Sequence, residues 1–200
     1  MRPSLTILFV TADRTVRADF AGSSQPQLLG LDSFDAGDDL AMSVESALLA
    51  GGRAASKVCV IATEVWTQTL EVPARAIAGL NDVQLRETLA HEAEALSGID
   101  ASRSALAYTP LQVVSGDQRY WVSQIASDDL DRIQHAIQQQ RGRLIGVMHP
   151  AGLAPPRSSR PAVELWPGVI AAHGGEDAQV MAMDPKINDW QLVLRDWASG

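Results

Sequence analysis

The chain has 200 residues, a net charge of -8 and a sequence pI of about 4.9. That acid excess is wrong for a protein that must neutralise phosphates, which excludes nucleic acid as a main partner. Hydrophobic residues at 46% and charged residues at 20% are the balance of a folded chain rather than a disordered one.

"SLTILFV" (4–10) reads as a buried strand and the alternating "TVRADF" (15–20) as its hairpin partner, joined by the polar "TADR". The apolar run is shorter than a secretory core, and no run approaches transmembrane length, so the expectation is a soluble, cytoplasmic chain. A third strand is expected around "QLLGL" (27–31). "DDLAMSVESALLAGG" then reads as a helix, with Asp38 and Asp39 in its first turn, Leu40, Val44, Ala47 and Leu48 on one face, and Gly51 at its end. "KVCVIAT" (57–63) is a buried strand. It holds Cys59, the single cysteine, so no internal disulfide or multi-cysteine zinc site can form and a reducing compartment fits. Only two lysines occur, Lys57 and Lys186, too few for a basic cluster on an anionic membrane.

"VWTQTLEVP" (65–73) predicts a strand ending at Pro73, and "NDVQLRETLAHEAEALSG" a helix in which Asn81 and Gln84 have capping-box spacing and Gly98 marks the end. "RSALAYTPLQVV" and "QRYWVSQIA" predict two strands joined by "SGDQ". "SDDLDRIQHAIQQQRG" predicts a helix capped by Ser127, acidic in its first turn and stopped at Gly142, and "RLIGVMH" (143–149) a strand after it. "PAGLAPPRSSRP" has the composition of a linker. Beyond it "AVELW", "GVIAA", "AQVMAM" and "WQLVLRDW" read as short strands with no helix between them.

Several residues invite functional readings that the pattern does not support. His91-Glu92 resembles the start of a zinc-protease His-Glu-x-x-His motif, but Ala95 stands where the second histidine is required. An amphipathic helix with Leu85, Leu89, Ala93 and Leu96 on its apolar face explains the run, with Glu87 placed to pair with His91. "HGGEDAQ" (173–179) resembles the Gly-Gly-acid-Glu-Phe loop of cyclic-dinucleotide synthases, yet Asp177 and Ala178 stand where Glu and Phe belong, and a hairpin turn is expected. No Walker loop, dinucleotide fingerprint or nucleophile elbow occurs. Cys59, inside an apolar strand, reads as a core thiol. Asp128 and Asp129 answer to the helix dipole. Trp66, Trp121, Trp166, Trp190 and Trp197 are expected mostly in the core, with one or two as partner anchors on an exposed strand edge. No catalytic, cofactor-binding, metal-ligating or partner-binding residue is assigned.

From residue 57 to 153 the order is "VCVIAT", "TLEVPARAIAGLNDVQLRETLAHEAEALSGID", a strand pair, then "YWVSQIASDDLDRIQHAIQQQRGRLIGVMHPAGL". This resembles the actin-like assembly proteins of type IV pilus and type II secretion machines, the PilM and GspL families. The resemblance rests on "LEVP" (70–73), the glutamate-rich helix 82–97 and "QRGRLIGVMHPAGL" (140–153). It implies an α/β fold: an actin-like (ribonuclease H-like) mixed-sheet lobe over 1–153 with an inserted small α+β subdomain at about 65–118, a linker at 154–161, and a partial, strand-rich second lobe at 162–200.

The function it implies is a non-catalytic cytoplasmic scaffold, peripheral to the inner membrane. Such a scaffold docks partner proteins in a pilus or secretion platform, with an assembly ATPase and bitopic inner-membrane proteins as partners. No nucleic acid and no direct membrane insertion by this chain are expected, and a homodimer is left open. Pilus members of the family hold a nucleotide against an Asp-x-Gly-type hairpin, but "FVTADRTVRADF" has Val10 and Ala12 at those positions. Without glycine the backbone cannot approach phosphate closely, and without the acid a metal-bound water loses a partner. No cofactor is therefore expected, and ATP with magnesium is disfavoured. The alternatives are an actin-like ATPase with an atypical phosphate loop, or an unrelated α/β ligand-binding domain.

Overall fold

The computed structural model describes residues 3–22, 25–52, 56–153, 162–166, 169–174 and 177–182. The first strands are β1 (Leu5–Val10), β2 (Arg14–Ala21) and β3 (Gln27–Asp35). After them come α1 (Leu40–Ala50) and β4 (Lys57–Ala62), and much later α4 (Ser127–Gln139) and β8 (Arg143–Met148). These strands form one five-stranded mixed sheet in the order β3-β2-β1-β4-β8. The β1–β2 and β2–β3 pairs are antiparallel; β1–β4 and β4–β8 are parallel. Each parallel neighbour arrives through a helix, because a parallel strand cannot be reached by a tight turn.

Strand alternation decides what this sheet buries. Leu8 and Val10 of β1 and Val58, Val60 and Ala62 of β4 point to one face, the front. There they meet Leu40, Val44, Ala47 and Leu48 of α1 and Ile133 and Ile137 of α4 in one core. α1 begins at Asp39, whose carboxylate accepts the Met42 amide at 2.7 Å. The acid is thus the cap itself rather than a first-turn residue. α4 starts with no side-chain cap: β7 (Asp117–Ala126) runs straight into it, and Ala126, not Ser127, holds the capping position. Asp128 and Asp129 do occupy its first turn. At its other end the left-handed residue is Arg141 (φ 57°) rather than Gly142. Arg141 and Gly142 close the turn by donating to the carbonyls of Gln138 and Ile137.

Between β4 and α4 lies a second, three-stranded antiparallel sheet, β5 (Trp66–Pro73), β7 and β6 (Ser104–Val114), in the order β5-β7-β6. A four-residue helix not foreseen in the sequence, α2 (Ala74–Ile77), follows β5. α3 (Asp82–Ser97) covers this sheet through Leu89, Ala90 and Ala93, which pack on Leu70, Val72, Leu106, Tyr120 and Val122. Its ends are as expected. Asn81 and Gln84 form a reciprocal capping box, and Gly98 closes the helix at φ 72°. Leu96, expected on the apolar face, is 59% exposed, because the face turns away from the sheet at the last turn.

The tail strands β9 (Ala162–Trp166), β10 (Val169–Gly174) and β11 (Asp177–Ala182) form a third antiparallel sheet, in the order β11-β10-β9. Gly174 faces Asp177 across the antiparallel pair β10 and β11 that flanks "HGGEDAQ", while the turn expected at its middle, 175–176, lies outside the described residues. Residues 154–161, expected as a linker, and the strand expected at "WQLVLRDW" with Trp190 and Trp197 lie outside the described residues.

Candidate functional site

The hairpin between β1 and β2 is tightly self-satisfied. The Thr11 amide donates to the Arg14 carbonyl at 2.8 Å. The Thr11 hydroxyl donates to the same carbonyl at 3.1 Å and accepts the Arg14 amide at 3.2 Å. The Ala36 amide holds the Asp13 carbonyl at 3.1 Å. No residue from Thr11 to Arg14 has a positive φ, so the turn forms no nest of converging amides. Val10 is fully buried in the front core, where an acid would be without solvent.

The other lures resolve into local structure. His91 is 72% exposed and its Nδ1 lies 3.6 Å from Glu94, one turn towards the C-terminus, rather than from Glu87. Among the described residues no group of three or more acidic, histidine or cysteine side chains could hold a metal ion. Cys59 is half-buried, and desolvation pushes its thiol pKa up, the reverse of what a nucleophile needs. Asp39 sits beside Arg132 at 2.9 Å, and the Met42 amide and this guanidinium hold its carboxyl below the usual range.

What the tertiary structure does bring together is a groove. β8 pairs only with β4, and β6 only with β7, so each presents an open edge among the described residues. The two edges face each other across a cavity of about 440 Å3. Ala105 and Ala107 of β6 line one wall, Ile145 and Val147 of β8 the other, and Leu130 and Gln134 of α4 the floor. Past Val147 the channel continues into a second hollow of about 350 Å3 lined by Tyr108, Trp121 and Met148. Trp121 is therefore the one expected aromatic anchor that the described residues place in a surface cleft, while Trp66 packs against the second core.

The groove wall is braced from behind. Gln124, fully buried, accepts the Ser97 hydroxyl at 2.9 Å and donates to the Ser104 hydroxyl at 2.9 Å, tying the end of α3 to β6 and β7. Sequence reasoning missed these lining residues because small and branched apolar side chains on an edge strand read like core. The only local signal was the unbroken apolar run "LIGVM", in which Ile145 comes out 48% exposed.

This arrangement of a five-stranded mixed sheet with an inserted antiparallel sheet and covering helix is an actin-like fold. No family profile matches the chain, and no curated protein matches it in sequence. Solved structures do match in shape. The PilM-PilN type IV pilus biogenesis complex superposes over 99% of this chain and 67% of that one, at a TM-score of 0.59 and 15% identity. The cytoplasmic domain of EpsL, an inner-membrane component of the type II secretion system of Vibrio cholerae, does so over 98% and 77%, at 0.59 and 12% identity. The expected likeness to the actin-like PilM and GspL proteins thus holds at the level of the fold. No described helix is long and apolar enough to cross a membrane.

Proposed function

We propose that this protein is a non-catalytic scaffold of a type IV pilus or type II secretion assembly platform, and that it holds an extended segment of a partner in the groove between β6 and β8. The observation that carries this reading is the pair of open strand edges facing one another across a largely apolar channel floored by Leu130 and Gln134. A strand laid there gains main-chain hydrogen bonds from either edge, and its alternate side chains enter the hollow. The similar folds that come from a PilM-PilN complex and from an inner-membrane secretion component favour bitopic inner-membrane platform proteins and the assembly ATPase as partners. The corresponding location is the cytoplasmic side of the inner membrane.

The rival reading, an actin-like ATPase, requires phosphate to bind the β1–β2 hairpin, whose Thr11 and Arg14 amides are engaged within the turn. The experiment measures binding of synthetic peptides from the cytoplasmic tails of bitopic platform proteins to the purified chain. Ile145→Arg is expected to weaken binding by about tenfold or more, since a charge enters an apolar channel, while leaving the melting temperature unchanged. Binding unaffected by Ile145→Arg removes the groove reading. Tight binding of magnesium-ATP in calorimetry favours the ATPase.

A further inference from the structure

On the groove side of the five-stranded sheet, β8 carries one residue more than its partner. Its register with β4 runs from Val58 opposite Leu144 to Cys59 opposite Gly146, so Ile145 is passed over. A bulge of this kind leaves the extra residue unpaired and re-aims its side chain. Ile145 borders the groove at 48% exposure, an apolar side chain held out on an edge strand rather than stored in a core.

The charge beside it is of one sign. Arg143, two residues before Ile145, is the only charged residue among those that line the cavity. Its register partner on β4 is Lys57, so two cations stand side by side on strands about 4.8 Å apart, an unfavourable pairing of like charges. Arg141, in the turn just before β8, adds a third. Elsewhere in this acidic chain Arg17, Arg86, Arg103, Arg119 and Arg132 each meet a carboxylate. No described ion pair reaches Lys57, Arg141 or Arg143. All three are exposed, as is Ile145, which leaves this end of the groove accessible to a second polypeptide.

We propose that the β6–β8 groove selects an extended partner segment that sets an apolar side chain against Ile145 and an aspartate or glutamate beside it against Arg143 and Lys57. This rests on the reading of the groove as a docking site and adds the chemistry of what it takes. The apolar contact holds the segment, and the carboxylate relieves the repulsion between the two cations and fixes which end of the segment lies there.

The test titrates the full chain with two labelled peptides that share an alternating valine–threonine core and is read by fluorescence anisotropy. One peptide has glutamates at both ends and the other lysines at both ends, so that strand direction does not matter. The glutamate peptide is expected to bind about tenfold more tightly, with the gap narrowing as salt is added. Ile145→Asn, which changes no charge, is expected to weaken both peptides. Arg143→Gln is expected to narrow the gap, and Lys57→Glu with Arg143→Glu to reverse it, without change in melting temperature because both positions are exposed. If the two peptides bind equally and Ile145→Asn weakens both, the groove stands and its selection for acid is overturned. If neither peptide binds, as when the chain's own residues fill the channel, the groove reading falls and the proposal with it. A glutamate preference that survives the double reversal comes from some other surface and also overturns the proposal.

Discussion

Arg17 is fully buried on β2, an unusual place for a guanidinium, and its surroundings explain how it is tolerated. Its Nε donates to both Asp19 oxygens at 3.2 Å, and its Nη1 to the carbonyls of Ala47 and Leu48 at 3.1 and 3.3 Å. Thr6 donates to Asp19 from β1. The guanidinium thereby satisfies the carbonyls at the end of α1 and fixes that helix to the sheet. Gly51 belongs to the same device: a Cβ there would lie 1.8 Å from Nη1, and its φ of -69° shows that space, not a left-handed turn, is the requirement. Asp19→Ala leaves the buried cation without its carboxylate and is expected to cost about 3–5 kcal/mol by urea denaturation. Replacing both partners with apolar residues of similar volume is expected to recover most of that loss.

His149 is also a buried titratable group, 1% exposed. Its Nδ1 accepts the Ala151 amide at 3.1 Å, which puts the ring proton on Nε2, an atom with no hydrogen-bond partner among the described residues. Desolvation lowers its pKa from 6.5 to about 4. The unfolded chain therefore takes up the proton first as the pH falls. Stability from the neutral ring is complete above pH 6.5 and drains away as the pH drops to about 4. The loss approaches about 3 kcal/mol, read from urea midpoints across that window. His149→Gln is expected to flatten the slope.

At the scale of elements, the ends of helices separate two kinds of cap. α3 is closed by side chains that its own sequence supplies, Asn81 accepting the Gln84 amide at 3.0 Å and Gln84 returning the bond to the Asn81 amide at 3.1 Å. Such a cap is local and was legible from spacing alone. Asn81→Ala is expected to cost about 1 kcal/mol, seen as a melting temperature lower by about 2–4 °C, since the first-turn amides lose their acceptor. α4 lacks such a cap because β7 delivers the chain directly into it. That continuity is a property of the second sheet, so Ser127 misled where Asn81 did not. β3 is comparable: "QLLGL" marked its start, but the strand runs on to Asp35 because β2 offers a partner along its full length.

At the scale of the whole molecule, the proposed docking depends on which strand edges the two sheets leave open among the described residues. The order β3-β2-β1-β4-β8 makes β8 an outer strand, and β5-β7-β6 does the same for β6. Only the meeting of these edges creates the channel, with Trp121 at its far end. The effect of Ile145→Arg on peptide binding without loss of stability is therefore a prediction about assembly geometry. The same substitution in a strand paired on both sides would disrupt the fold.

The order of elements was determined by sequence, because it rests on short-range signals. Period-2 alternation marks β1 and β2, the Asn81–Gln84 box and Gly98 bound α3, and the step from "LEVP" into a glutamate-rich helix sets up the actin-like pattern. The failed zinc motif was equally local, since a missing histidine at position 95 needs no coordinates. The tertiary structure alone decided the open edges, the groove between them and the room that Gly51 leaves for Arg17. Each of these joins residues far apart in the chain, and an apolar side chain on a strand carries no local mark of whether it faces a core or an empty channel.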